Sequence, residues 1–340
     1  MASSDVKAPA SDKASRPSRP VWNWQPQLPL ENGPLFAWPP QPARVLNYFT
    51  SNWLALTARV FIVATSLISW FYLQPALERC VEFGFGWIAQ MYARNLGLMI
   101  LVAGGLHLYF YTFSKQGIRL KFDAREMARN NGAFNFRNQV LDNVFWSLAS
   151  GVTVWTAYEV LLIWGFANGY IAVLQWHEHP IWFVSIFLLV PLWYSFHFYW
   201  IHRSLHWPPL YRTVHALHHR NINIGPWSGM SMHPVEHVMY LSSVLIHWVV
   251  ASHPVHILYH MQFDVLAAVT SHSGFEGLEV EEKNRMPLGY FFHQLHHRYF
   301  ECNYGIDEMP WDKWFGSFHD GTPEATERVR ERRRRMYGTS

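Results

Sequence analysis

Long apolar runs dominate the first two thirds of the chain, and each contains at most one formal charge. An α-helix needs about 20 apolar residues to cross the hydrocarbon core of a bilayer. The pattern therefore predicts about four membrane-spanning helices, at residues 53–73, 91–113, 144–166 and 181–201. The last run contains no Asp, Glu, Lys or Arg at all and gives the strongest prediction.

Two further apolar segments, residues 238–251 and 254–271, are each short for a full span. We expect them to form a re-entrant hairpin or a pair of helices packed on the cytoplasmic face. The predicted fold is thus all-α, with about four spans, a short helical hairpin and a histidine-rich helical cap.

The polar segment between the second and third runs, residues 114–143, carries six Lys or Arg residues against three acids. Basic loops remain on the cytoplasmic side of membranes, so we expect this loop to be cytoplasmic. The chain then leaves through the third span and returns through the fourth, so that it emerges on the cytoplasmic side at His202. Both termini are expected there.

Composition supports a membrane protein. Only 15% of the residues are charged, against about 25% in soluble domains, while 17% are aromatic, including 18 Trp. Many Trp and Tyr are typical of interfacial belts. The two cysteines form no disulfide framework and fit no zinc-finger spacing, and the basic residues, dispersed or terminal, give no motif for nucleic acid binding.

The chain divides into four predicted regions. Residues 1–45 are a Pro-rich, disordered or interfacial tail with Trp22, Trp24 and Trp38 near lipid headgroups, and they contain no apolar stretch of a secretory signal. Residues 46–143 hold the first membrane helices and the cytoplasmic loop, and residues 144–320 hold the histidine-rich membrane domain. Residues 321–340 are basic and fit either an anionic leaflet or a solvated charged helix.

Sixteen of the twenty histidines lie between residues 197 and 297, and eight of them form the clusters HRSLH, HALHH and HQLHH. Residues three and four apart share a face of a helix, so each cluster is expected to point its imidazoles in one direction. Eight imidazoles exceed the ligands of one metal ion, which indicates two ions. Acids are scarce nearby, Glu236 being the nearest candidate, so redox-active iron and dioxygen suit the site better than a zinc hydrolase.

Five motifs together resemble the sterol desaturase/fatty acid hydroxylase superfamily over about residues 140–320. They are HRxxH, HxxHH, HPxE (His233 to Glu236), HSG and a final HxxHHxxFxxNYG. The resemblance implies a membrane enzyme with two iron ions that activates O2. Carried over by position, the iron ligands are His202, His206, His215, His218, His219, His272, His293, His296 and His297. His233 or His237 could also bind or orient a metal.

The resemblance also implies partners. The substrate is a lipid from the bilayer, and electrons come from an external donor such as cytochrome b5 or ferredoxin with its reductase. A sterol, a fatty acyl chain, a carotenoid and an ornithine lipid all remain open, as do hydroxylation and desaturation. The Pro- and Trp-marked N-terminus favours a bacterial inner membrane, and therefore acyl or ornithine lipids.

Further expectations concern residues around the histidines. Glu236 and Asp264 could fix imidazole tautomers, although Asp264 is better explained as a structural acid. Trp311, Asp312, Trp314 and Phe315 are expected to clamp the cap onto the membrane helices. The alternative function is a membrane metal transporter or metal-binding protein, which would place ionisable residues at mid-membrane on facing spans.

Overall fold

Helices make up nearly all of the regular structure in the computed structural model, which describes residues 22–338. They are α1 (Pro42–Trp53), α2 (Ala58–Leu73), α3 (Phe85–Thr112), α4 (Gln139–Ala167), α5 (Pro180–Leu205), α6 (Pro208–Thr213), α7 (Pro234–Leu241), α8 (Pro254–Ser271), α9 (Phe291–Tyr299), α10 (Trp311–Trp314) and α11 (Pro323–Tyr337). An antiparallel ribbon of β1 (Gly277–Val280) and β2 (Lys283–Pro287) precedes α9.

Three helices, α3, α4 and α5, are long and apolar enough to cross a membrane, and α1 with α2 forms a fourth candidate bent by 45°. The predicted all-helical membrane fold is therefore confirmed. The first span begins later than predicted, at Ala58, because the side chain of Thr57 accepts the backbone N–H of Val60 and caps the helix there. How many of the four candidates cross the bilayer stays a prediction.

The second of the two short apolar segments becomes α8, which lies at the centre of the bundle in contact with α2, α4 and α5. Almost all of its residues are buried, including the polar His256, His260 and Asp264. The first segment does not form one helix, since α7 ends at Leu241 and a 3-10 helix follows over Ser242–Trp248. Whether the two segments re-enter the bilayer or lie on its cytoplasmic face stays a prediction.

The two charges within the second and third predicted spans meet each other. The guanidinium of Arg94 on α3 forms a buried ion pair with the carboxylate of Glu159 on α4. Glu159 also accepts hydrogen bonds from Asn95 (2.9 Å) and from the indole of Trp155 (2.7 Å). The pair thus joins two membrane helices and leaves neither carboxylate oxygen without a partner.

The polar loop and both described ends of the chain pack beside the histidine-rich region. In the loop, Phe122 donates its backbone N–H to the carbonyl of Gly274 at 2.9 Å. Trp22 packs edge-on against Phe291, with ring centroids 4.9 Å apart. In contrast, Trp38 is 89% exposed. Residues 1–21 of the predicted tail lie outside the described residues, and the predicted contact of the three tryptophans with lipid headgroups remains a prediction.

Candidate metal centre

Short helical segments bring the histidines together. His202 lies in the last turn of α5 and His206 caps the end of that helix. The HALHH cluster forms a 3-10 helix, His215–Arg220, and HQLHH lies on α9. His272 follows directly after α8, as its C-terminal cap.

The nine predicted ligands form two buried groups, and within each group the candidate ligand atoms all lie within 4.8 Å of one another. The first group has five histidines and the second has four. The first consists of His202, His206, His215, His219 and His296, and the second of His218, His272, His293 and His297.

The rings of each HxxHH cluster stay close together, as in His215 and His218 (5.5 Å between centroids), yet their members divide between the two groups. In HALHH, His215 and His219 belong to the first group, whereas His218 belongs to the second. In HQLHH, His293 and His297 belong to the second group and His296 to the first. In both clusters the i and i+4 histidines join one group and the i+3 histidine joins the other, so each HxxHH serves both groups.

The imidazoles face one another through their Nε2 atoms. In the first group these atoms lie 3.1 Å apart in His202 and His215, and 3.0 Å apart in His219 and His296. In the second group, His272 Nε2 lies 3.0 Å from that of His297. Nitrogen atoms from distant parts of the chain thus converge on two small regions.

The opposite ring nitrogen, Nδ1, faces a protein oxygen atom in several of these histidines. A backbone carbonyl accepts only from an N–H, so such a contact fixes the proton on Nδ1 and leaves a lone pair on Nε2. The contacts join His202 to the Tyr304 carbonyl (2.6 Å), His296 to the Cys302 carbonyl (2.6 Å), His272 to the Ala268 carbonyl (2.8 Å) and His215 to the Glu236 carboxylate (2.7 Å).

This donor set fits metal ions. Lone pairs that face each other across about 3 Å without a proton between them repel, and a cation placed among them removes the repulsion. Neither ring nitrogen of His206 has a hydrogen-bond partner among the described residues, although the ring is buried. An unpartnered buried imidazole costs free energy unless something binds it.

The electrostatics of the site also suit metal binding. Burial lowers the pKa of His215 to about 3 and that of His218 to about 4, so both rings are neutral at pH 7, the form that binds metals. Burial raises the pKa of the Glu236 carboxyl to about 8. A nearby cation would act in the opposite direction and favour its carboxylate form.

Other candidates from the sequence lie outside the two groups. Both ring nitrogens of His237 are engaged, Nδ1 with the Ser150 hydroxyl (3.0 Å) and Nε2 with the Met230 carbonyl (3.2 Å). The ring of His233 accepts the backbone N–H of Val235 and caps α7. Asp264 accepts from the hydroxyl of Ser243 rather than touching a clustered histidine, which agrees with its structural interpretation.

The loop after α9 carries two contacts that the sequence patterns did not reveal, the carbonyls of Cys302 and Tyr304. Two non-glycine residues with positive φ, Phe300 (70°) and Asn303 (51°), turn this loop back toward the histidines. The amide of Asn303 bridges the Phe292 and His319 carbonyls at 3.0 Å each and holds the turn in place. The only signal in the sequence is the NYG that follows the third cluster.

The predicted aromatic clamp is present. The ring of Trp311 stacks on Tyr199 of α5 with centroids 6.0 Å apart, and Phe315 packs against Trp200 of the same helix. Asp312 accepts the backbone N–H groups of Tyr304 and Gly305, each at 2.8 Å. The clamp therefore also positions the carbonyl that holds His202. Trp314 packs on Phe36 instead of α5.

A cavity of about 340 Å³ lies directly beside both histidine groups. His202 and His215 of the first group and His218, His272 and His293 of the second line one part of it. Apolar side chains, among them Phe198, Ile62 and Phe263, line much of the rest. Its size lies within the range of small-molecule sites, and its walls suit an apolar molecule. We name it the lipid cavity.

A family model described as fatty acid hydroxylase matches residues 187–317, which include all nine histidines. A Delta(7)-sterol 5(6)-desaturase of Gibberella zeae is 36% identical over 37% of this chain and 39% of its own length. A Delta(7)-sterol 5(6)-desaturase of Aspergillus fumigatus is 29% identical over 66% of this chain and 65% of its own length. A methylsterol monooxygenase of that species is 30% identical over 40% of this chain and 46% of its own length. No solved structure matches the chain.

The matches span less than two thirds of the length of these relatives. They nevertheless coincide with the part of the chain that carries the motifs, the two histidine groups and the apolar helix α5. Residues 187–317 are therefore similar to the sterol desaturase/fatty acid hydroxylase superfamily, and the apolar helices support an integral membrane protein.

Proposed function

We propose that this protein is a membrane-bound, di-iron oxygenase that uses O2 and external electrons to hydroxylate or desaturate a lipid. The observation that carries the proposal is the contact between the lipid cavity and both histidine groups. A bound lipid would have one carbon beside the candidate metal ligands. The fungal sterol enzymes among its relatives favour a sterol over the acyl and ornithine lipids, and they give no support to a bacterial origin.

In this proposal the nine histidines hold two iron ions, which supply O2 activation and hydrogen removal from an unactivated C–H bond. The protein's own share is binding, orientation and exclusion of water. The carbonyls of Tyr304, Cys302 and Ala268 keep the Nδ1 protons in place and aim the Nε2 lone pairs. The apolar wall of the lipid cavity holds the substrate against this centre. The cytoplasmic position of the cap follows the positive-inside rule.

Metal transport is the alternative. Arg94 and Glu159 do face each other on adjacent helices, as ionisable residues in a transporter would. Their hydrogen-bond partners satisfy them, however, and neither residue lines the lipid cavity. The histidines instead gather at one end of α5 and beside a cavity with apolar walls. This arrangement favours lipid chemistry.

Mass spectrometry of lipids from cells with and without the gene tests the proposal. A gain of one oxygen atom indicates hydroxylation, and a loss of two hydrogen atoms indicates desaturation. The purified protein should contain close to two iron ions per chain. Unchanged lipids in aerated cells that express the protein well would contradict the oxygenase. Uptake of metal ions into vesicles that contain the protein would favour transport.

Replacing one histidine of either group should abolish activity without preventing membrane insertion. His218→Ala removes a ligand of the second group, and His296→Ala removes one of the first. His177→Ala is the matched control, because the side chain of His177 is 75% exposed and belongs to neither group. Product formation, iron content and membrane fractionation should be measured together. Full activity in either ligand variant would remove that residue from the ligand set.

A further inference from the structure

A second cavity, of about 350 Å³, also reaches the candidate metal centre, and it shares no lining residue with the lipid cavity. Its walls include His206 of the first group, with Glu301 and Tyr304 beside it. The Tyr304 hydroxyl donates to the Glu301 carboxylate at 2.8 Å. Exposed Trp207 and half-buried Arg332 stand at its rim. We name it the polar cavity.

The basic helix α11 is fastened beside the polar cavity. Arg332 donates from its guanidinium to the carbonyl of Glu301 at 3.0 Å and also to that of Gly316. Arg333 lies over the ring of Phe300, 5.1 Å from its centroid. The ring of Phe300 in turn lies 5.0 Å from that of His219. A single aromatic side chain therefore separates an exposed arginine from a candidate metal ligand.

Helix α11 carries six arginines and three glutamates, and five of those arginines are exposed. Glu327 pairs with Arg330 and Arg334, whereas Arg333 and Arg335 form no ion pair with the residues that the structure describes. Positive charge is thus left open to the solvent beside the polar cavity, which reaches His206 of the first histidine group. Charge of one sign around such a route attracts a partner of the opposite sign and speeds its encounter.

We propose that α11 and the rim of the polar cavity form the docking surface for an acidic one-electron donor protein. The inference rests on the proposed function, because oxygenation needs electrons. In each transfer the reduced donor loses one electron and the metal centre gains it. With two electrons, two protons and O2, one C–H bond is converted to an alcohol with one water formed, or two C–H bonds on adjacent carbons are converted to an alkene with two waters formed. The lipid then reaches the centre through the lipid cavity, and the electrons arrive from the side of the polar cavity.

The probe for this proposal is the acidic, soluble haem domain of a cytochrome b5. Its affinity for the full chain in detergent should be measured at rising salt, and screening should weaken it. The double variant Arg333→Glu and Arg335→Glu should raise the Kd at least tenfold and slow oxidation of the reduced probe in parallel. Reduction by dithionite, which needs no docking surface, should be unchanged.

Two further variants keep the result interpretable. Arg328→Glu with Arg335→Glu leaves the contact between Arg333 and Phe300 intact and should also weaken binding. Lys115→Glu with Arg129→Glu makes the same charge change on the exposed polar loop, whose residues contact the region of Gly274 instead of α11, and should leave the Kd within about twofold.

Equal probe affinity in wild type and in the α11 variants would overturn the proposal. The proposal would also fail if the α11 variants lost affinity for phosphatidylserine vesicles but kept their affinity for the probe. In that case α11 would be a membrane contact. If the probe binds through α11 but no oxidised lipid forms in cells, the docking surface stands and the proposed lipid chemistry fails.

Discussion

At the scale of single residues, each imidazole depends on what holds its second nitrogen. Glu236 holds His215 through a contact of 2.7 Å, and both side chains are buried. Replacement of Glu236 by Gln keeps the size of the side chain but removes the charge that favours the Nδ1–H tautomer. Partners of this kind typically contribute 10- to 100-fold to metal affinity or activity.

We therefore expect Glu236→Gln to lower iron affinity or turnover by about 10- to 100-fold. Iron content after dialysis against a graded chelator, together with product formation, measures the effect. Glu178→Gln, on the exposed connector before α5, is the control and should behave as wild type. An unchanged iron affinity in Glu236→Gln would show that the carboxylate does not orient His215.

At the scale of elements, the two HxxHH clusters show how helix geometry distributes ligands. The sequence predicts one shared face, and the structure divides the rings on it: the i+3 histidine belongs to the second group in HALHH and to the first in HQLHH. The two segments that carry them, a 3-10 helix and α9, therefore each contribute histidines to both groups. Neither half of the centre can form unless both segments are in place.

The buried pair of Arg94 and Glu159 joins α3 and α4 at the same scale. Removal of one member of a buried ion pair leaves an uncompensated charge, which typically costs about 3–5 kcal/mol. We expect Glu159→Gln to lower the unfolding midpoint of the protein in detergent, measured by tryptophan fluorescence. The double variant Arg94→Leu with Glu159→Leu should lower the unfolding midpoint less, because it leaves no charge buried without a partner.

Glu178→Gln, on an exposed connector, supplies the control and should leave the midpoint unchanged. A Glu159→Gln variant as stable as wild type would mean that water or lipid headgroups reach Arg94. In that case the pair would not join the two helices.

At the scale of the whole molecule, buried histidines outside the metal groups link folding to pH. Burial lowers the pKa of His237 to about 3 and that of His319 to about 4. In the unfolded chain such groups titrate near pH 6.5. At a pH between the folded-state pKa and the unfolded-state pKa, the unfolded state binds more protons than the folded state. The free energy of unfolding therefore falls as the pH falls through this range.

We expect the unfolding midpoint in detergent to be nearly constant above pH 7 and to decrease from about pH 6.5 toward pH 4. Each unit of pKa difference corresponds to about 1.4 kcal/mol per group. Protein stripped of metal is the form to measure, since metal release would otherwise contribute to the change. A midpoint independent of pH over this range would show that these rings are not buried in the folded protein.

The sequence by itself predicted the long apolar helices, the nine histidines that the structure brings together, and the likeness to the superfamily. Long apolar runs and histidine spacing are local properties, and they are fixed by residues close together in the chain. The same is true of the aromatic clamp, because Trp311, Asp312 and Phe315 lie within one short segment.

Only the tertiary structure decided which histidine joins which group, how Arg94 meets Glu159, and where the two cavities lie. These facts depend on contacts between residues far apart in sequence, such as His219 with His296 at 3.0 Å. The carbonyls of Cys302 and Tyr304 carry no side-chain signature, and the NYG after the third cluster marks the loop without showing which carbonyl holds which histidine. Ring orientation comes from backbone geometry, and backbone geometry is settled only when the whole bundle packs.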